Sequence, residues 1–495
     1  MKNIIKYTLV CTLLISAVGC NKWLELKPLD GIVGDEFWNT KEQVDAAVTG
    51  IYSSMQASNG DRQMVEYLFI WGEGRTDMVT PGFRADQDEQ DIVNMNMLPQ
   101  NRYVNWRSFY QTINYCNTLI EKAPGVKQKD NTFSDTHLNT AVGQALAIRS
   151  LMYFYLVRSF GEVPLKLTAT TSDQDIVNIP KSKADTVLNQ IVADLKKAET
   201  FLPVSYGSNA TDKGRVTRYA VNAMLADVYM WRDNYMNAVE ECDKIINSRR
   251  FGLVSRNNFY DAIFLAGNSN ESIFELQFDE QRLNPFFDIH TPNRRRWGAS
   301  PHLTENVYGI DLLNAVPQED KRGENSAYRG ADFSIWKYVG ANDDGTVFRN
   351  FDQSYANWIF YRYADILLLK AEAINQMDQP LEASRIVKTI RERANAVDFK
   401  VMDSTNKGAM TNFILEERQR ELAFEGKRWY DVLRNAKRNN YERLQLLLDI
   451  ASISIPPDRR QAAFNKLRDK NSHYFPIYFY EIQTNRLLEQ NPFYR

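Results

Sequence analysis

Cysteine and histidine are scarce in this chain of 495 residues, four of each. His137, His290, His302 and His473 are scattered and lack the paired spacing of a zinc site, so neither a metal nor a cofactor is expected. Cys11 and Cys20 lie at the amino terminus. Cys116 and Cys242 sit in helical patterns, and free buried thiols are expected there, since a chain this long builds a core without disulfide staples. Glycine and proline, 23 and 16 residues, make up about 8 % of the chain against roughly 12 % in average proteins, which disfavours a loop-dominated architecture. A basic surplus is absent too, with 60 Lys and Arg against 62 Asp and Glu. Nothing therefore drives counterion release, and no nucleic-acid partner is expected. The chain has no G-x-S-x-G elbow, HExxH, Walker loop or Rossmann glycine set. Carboxylates are abundant, and a glycosidase needs only two of them about 5–10 Å apart, so the motif search alone leaves that chemistry open.

What is present begins with a targeting device. Lys2 and Lys6 form a charged region, Tyr7 to Val18 is apolar, and small residues Ala17 and Gly19 precede Cys20. The run is shorter than the roughly 20 apolar residues of a membrane-spanning helix, and no later segment is expected to reach that length. Residues 1–19 read as a signal peptide, and Cys20 as the acylation candidate, although Ala17 stands where such signals usually have leucine. The alternative is ordinary secretory cleavage with Cys20 incidental. Losing Lys2 and Lys6 would move the formal charge from −2 to −4.

Apolar residues then recur with helical period at 40–57, 103–123, 138–160, 183–200, 215–232, 235–248, 361–377, 380–396, 411–425 and 427–437. Ala226 and Ala238 are twelve residues apart, as are Ala371 and Ala383, each pair bracketing a short polar turn. That spacing fits the small residues at which the two helices of a tetratricopeptide hairpin touch, and a generic helical hairpin is the alternative. Between 250 and 355 the pattern changes to short aromatic, Asn- and Gly-rich pieces that read as loops, turns and short strands. No clean domain boundary is visible. The expected fold is mostly α: helical hairpins forming a scaffold, with an irregular, loop-rich ligand face and a few short strands.

The most constrained segment is Phe413 to Arg434. Glu417, Glu421 and Glu425 fall in one i, i+4 column, where like charges repel by a few tenths of a kcal/mol per pair unless neutralised. Arg391, Arg393, Arg428 and Arg434 are the candidate cations of a partly buried network, with Gly426 as the stop of the first helix.

This wording, with Tyr361 to Asp365 (YRYAD), Ala145 to Leu165, Gly214 to Trp231 and His473 to Tyr494, resembles the SusD/RagB family of nutrient-binding outer-membrane lipoproteins over nearly the whole chain. The resemblance implies four tetratricopeptide repeats in a single domain over 20–495, with an N-terminal part to about 250 and a C-terminal part after it. It also implies a lipid anchor on Cys20 at the outer membrane, facing the cell exterior. The implied activity is capture without cleavage of an oligosaccharide, or alternatively a peptide, and its delivery to a TonB-dependent, SusC-like barrel. A tetratricopeptide scaffold that binds only protein is the rival.

Ligand residues are sought among aromatics outside the confident helices: Phe83, Phe286, Phe287, Trp297, Tyr308, Trp336, Tyr338 and Tyr355. Flat rings stack on sugar faces or apolar side chains while neighbouring Arg, Asn and Asp fix orientation, although such rings also anchor loops. Trp297, beside Asn293, Arg294 and Arg296 and followed by Gly-Ala-Ser-Pro, is the expected central platform, with Phe83, Arg84, Tyr308 and Trp336 around it. The Arg294–Arg296 run reads as a solvated loop or carboxylate partner. Arg75 and Asp77 are expected to hold the backbone of the loop that follows them, from Pro81 to Gln90.

Overall fold

The computed structural model describes residues 37–57, 62–309, 311, 318–398 and 400–495. The expected signal segment, residues 1–19, and Cys20 lie outside the described residues. Fourteen helices carry the argument: α1 Lys41–Gln56, α2 Met64–Glu73, α3 Gln87–Val93, α4 Arg107–Val126, α5 Asp135–Phe160, α6 Ala184–Phe201 and α7 Arg218–Trp231, then α8 Tyr235–Asn247, α9 Tyr363–Gln376, α10 Pro380–Ala394, α11 Lys407–Glu421, α12 Arg428–Tyr441, α13 Gln445–Ser454 and α14 Pro457–Leu467. Six short strands accompany them among the described residues: β1 Val79–Pro81, β2 Ser272–Leu276, β3 Trp297–Ala299, β4 Tyr328–Arg329, β5 Ser334–Ile335 and β6 Trp358–Arg362. They pair antiparallel as β1–β3, β2–β6 and β4–β5.

The scaffold is a file of packed helices. Helix α1 packs on α4, α4 on α5, α5 on α6, α6 on α7, α7 on α8, α8 on α9, and α9 on both α10 and α11. Ala226 and Ala238, in packed α7 and α8, and Ala371 and Ala383, in packed α9 and α10, are all wholly buried, as small residues at hairpin contacts would be. Thr40 and Ser134 cap α1 and α5 by accepting from the backbone N–H groups of Gln43 and His137. Cys116 and Cys242 are buried free thiols.

One expectation fails here. Helix α5, 26 residues, is long and apolar enough by length and composition to cross a membrane. It is instead the central core helix, with 94 % of its apolar window buried, and its charges are paired within the protein. Arg149 reaches Asp194 at 2.7 Å, and Arg158 reaches Asp227 at 3.1 Å.

The C-terminal carboxylates form a fully buried network. Glu417 meets Arg322 at 2.5 Å and Arg391 at 3.0 Å; Glu421 meets Arg362 at 2.6 Å, Arg322 at 3.0 Å and Arg393; Glu425 meets Lys337 at 2.7 Å and Arg362 at 2.9 Å. Despite burial, these guanidinium groups hold the Glu417 carboxyl down at about 2 and that of Glu421 well below the ordinary range. The expected cations are corrected in part. Arg428 binds Asp77 at 3.0 Å, and Arg434 binds Glu372 at 2.7 Å and Asp431 at 2.8 Å. Arg322 and Arg362, from an irregular segment and from β6, do most of the neutralising. Helix α11 also ends at Glu421, before Glu425 and Gly426. Gly426, with φ +70°, occupies a tight turn against α2, where a Cβ on Gly72 would lie 2.0 Å from the Gly426 carbonyl oxygen. The backbone N–H groups of Gly426 and Lys427 donate to Glu73 of α2, at 2.9 and 3.2 Å.

Candidate functional site

The loop after α2 and the turn before β3 are joined by a three-residue ladder. Val79, Thr80 and Pro81 pair with Ala299, Gly298 and Trp297. Beyond the ladder, Gly82 N–H donates to the Arg296 carbonyl at 2.7 Å and Arg84 N–H to that of Arg295 at 3.1 Å. A Cβ at position 82 would lie 2.3 Å from the Arg295 carbonyl oxygen, so only glycine permits this approach. The ladder thus ties the loop bearing Phe83 and Arg84 to the turn bearing Asn293 and Arg294.

Trp297 is the anchor of this assembly. Its ring is wholly buried, and its indole N–H donates to Glu89 Oε1 at 3.0 Å. The same buried carboxylate accepts from the Tyr103 hydroxyl at 2.8 Å and from Arg296, whose guanidinium also reaches Glu66 at 2.6 Å. A ring enclosed in this way presents no face to a ligand, which corrects its expected role as the central platform. Trp336 and Tyr308 are corrected on the same ground. Trp336 is buried, donating to the Asn342 carbonyl at 2.8 Å, and Tyr308 is buried, donating to that of Arg420 at 3.0 Å. Phe286 and Tyr338 stack on each other in the core at 4.1 Å. Arg75 is another anchor: it donates to the His473 carbonyl at 2.8 Å and lies over the Trp429 ring at 3.9 Å, so it holds the C-terminal segment instead of its own loop. Asp77 likewise binds the side chains of Arg428 and Gln419.

What remains exposed is narrower and better defined. Phe83 is 68 % exposed, and Arg84, Asn293 and Arg294 are exposed beside it in the two joined loops. Arg294 is paired with Asp288 and lies over two rings, Phe287 at 5.5 Å and Phe351 at 5.9 Å. Those two rings meet edge to face at 5.7 Å. The turn carrying Phe351 is tied to Phe287, whose backbone N–H donates to Ser354 Oγ at 3.3 Å. This is a surface of open aromatic carbon with a guanidinium held in place by a carboxylate and two rings. Such a surface stacks on a flat apolar face and offers fixed donors to hydroxyl or carbonyl oxygens. Phe351 escaped the sequence search; a phenylalanine beginning an Asn-capped turn of otherwise polar residues was the available signal. Among the described residues no three His, Cys, Asp or Glu side chains converge as a metal site would require.

Two family models match, one described as the SusD family over residues 296–494 and one as starch-binding associating with outer membrane over residues 22–230. The chain belongs to the SusD family. Among curated proteins, this SusD-like chain is 27 % identical to SusD-like protein P38 of Formosa agariphila, covering 84 % of this chain and 88 % of that protein. Among solved structures it is similar to a SusD superfamily protein from Bacteroides thetaiotaomicron, with TM-score 0.72, 25 % identity and coverage of 92 % and 99 % of the two chains. It also shares its fold with a structure described as a laminarin-binding SusD-like protein, at TM-score 0.69 and 19 % identity over 92 % and 100 % of the chains.

Proposed function

We propose that this SusD-like protein captures a neutral oligosaccharide on the face formed by Phe83, Arg84, Asn293 and Arg294 with Phe287 and Phe351, and passes it to a TonB-dependent outer-membrane barrel. The observation that carries the reading is Phe83, an open ring on a loop pinned to the Arg294 turn, in a family described by starch binding and with a structural neighbour described as binding laminarin. A lipid on Cys20 would hold the protein at the outer membrane. Binding without cleavage fits this surface, whose one paired carboxylate, Asp288, is engaged by Arg294. Electrophoresis of the intact mature chain through gels containing laminarin, starch or no glycan tests the reading. Retardation by a glucan is expected. Unretarded migration in both, with binding to a peptide library instead, would transfer the proposal to peptides.

A further inference from the structure

We propose that the cleft between the Leu265–Asn268 loop and Tyr355 is a second neutral-glycan site, separate from the Phe83–Arg294 face; it rests on the glycan reading above. The cleft measures about 660 Å³ and is walled by the turn from Gln277 to Gln281 on a third side. That volume falls in the range of small-ligand sites, roughly 300–1,000 Å³.

Its lining is prearranged. Gly267 and Asn268 both have left-handed backbone, φ +68° and +52°. A Cβ on Gly267 would lie 2.6 Å from Asn357 Nδ2, so glycine lets the amide of Asn357 come close. That amide donates to buried Glu275 Oε2 at 2.7 Å and accepts from Phe278 N–H at 3.0 Å, which fixes its orientation. Asn268 is fixed too, its backbone N–H donating to Glu275 at 3.0 Å and its Oδ1 accepting from Gln277 at 2.5 Å.

These bonds leave hydrogen-bonding capacity unused. Asn268 Nδ2, the Tyr355 hydroxyl, which lies in the field of Arg349, and the side chain of Gln281 make no hydrogen bond among the described residues. The rim carries Asp279 and Glu280 and no cation, so the cleft repels anions. Oriented neutral amides around a half-buried tyrosine suit vicinal hydroxyls, each of which both donates and accepts. The turn from Phe351 to Tyr355 borders both sites, so a blocking residue belongs on the opposite wall. Ala266, exposed and with ordinary helical backbone, provides that position.

The test is calorimetric titration of the mature chain with laminarihexaose and with maltohexaose. The Phe83→Ala/Arg294→Ala double variant, disabled at the first face, is expected to retain a saturable site for one of them. Adding Ala266→Trp should weaken that residual binding at least tenfold with the thermal midpoint unchanged, and Tyr355→Ala should weaken it as much. Tyr355→Phe, which keeps the ring, should lose only about threefold. Residual binding unaffected by Ala266→Trp would overturn the second site while leaving the glycan reading intact. So would wild-type binding that the double variant loses entirely. If neither glucan binds any form, both proposals fall together.

Discussion

Trp297, expected as the central platform, is a buried anchor, and in our proposal the exposed Phe83, expected beside it, takes the central place. An exposed ring that is central to binding costs about 2 kcal/mol or more on truncation, about thirtyfold in affinity, without touching the core. Phe83→Ala should therefore weaken glucan binding by that order at constant melting temperature. Trp297→Ala removes a wholly buried ring and one donor to Glu89, a loss of about 3–5 kcal/mol in stability, and should lower the melting temperature sharply. Equal melting curves for these two variants would contradict the assignment. The reason for the burial of Trp297 lies in Glu89. Its position in α3 gave no sign that it binds Tyr103, 14 residues on, and reaches across 207 and 208 residues of chain to Arg296 and Trp297, and loop composition alone could not tell an anchor from a platform.

The glutamate column was more legible, because three like charges at helical spacing require cations wherever they are placed. Which cations was legible only in part: Arg391 and Arg393 reach the column as expected, whereas Arg322 and Arg362 stand 95 and 59 residues from Glu417 and Glu421, with no local pattern linking them to it. Glu421→Ala would strand Arg393, Arg362 and Arg322 in the core, costing about 3–5 kcal/mol, while Lys470→Ala at the surface should leave the thermal midpoint unchanged. Thermal melts of the two variants side by side check this.

At the scale of elements, the long amphipathic helices were readable from their period, and α7 to α10 fall within three residues of their expected bounds. Helix α2 was not expected. All ten of its residues are buried, so it has no polar face and no 3.6 period to betray it. It carries a buried acid with a large upward shift. Burial pushes the Glu73 carboxyl from 4.5 up to about 8, against the backbone N–H groups of Lys427 and Gly426 that favour its charged form. Between those two values the folded protein keeps a proton that the unfolded chain releases, so this group's contribution to stability falls as pH rises from about 4.5 to 8. Glu73→Gln should flatten that decline in melts recorded from pH 5 to 8; an unchanged slope would show that Glu73 titrates normally. Buried His290 and His473, lowered to about 3 and about 4, act in the opposite sense. They stay neutral in the fold while the unfolded chain protonates below about 6.5, so stability is lost as pH drops through that value.

At the scale of the whole molecule, the described residues form a large core and a second, smaller one between α9, α10 and α11, and the irregular segments from 250 to 355 insert rings such as Phe274, Trp297 and Trp336 into the larger. A single acyl chain anchors a protein only marginally, at about 10⁴ M⁻¹, so a stable lipoprotein anchor carries more than one. Cys20→Ala should release the protein from membranes or leave its signal uncleaved, and unchanged membrane fractionation would contradict the anchor. A permanent lid on a transporter buries well over about 2,000 Å². Extraction in mild detergent should accordingly recover the protein with a much larger barrel, and a free monomer under every detergent would count against that partner.

The central claim is that the open face around Phe83 and Arg294 binds a neutral oligosaccharide. Its most direct measurement is the glucan affinity of Arg294→Ala, which removes the guanidinium lying over Phe287 and Phe351 while leaving the Trp297 anchor intact. The account predicts saturable binding of a laminarin or starch oligosaccharide by the wild type, and at least a tenfold loss in Arg294→Ala at an unchanged melting temperature. Equal affinity of the two proteins for the same glucan would contradict it.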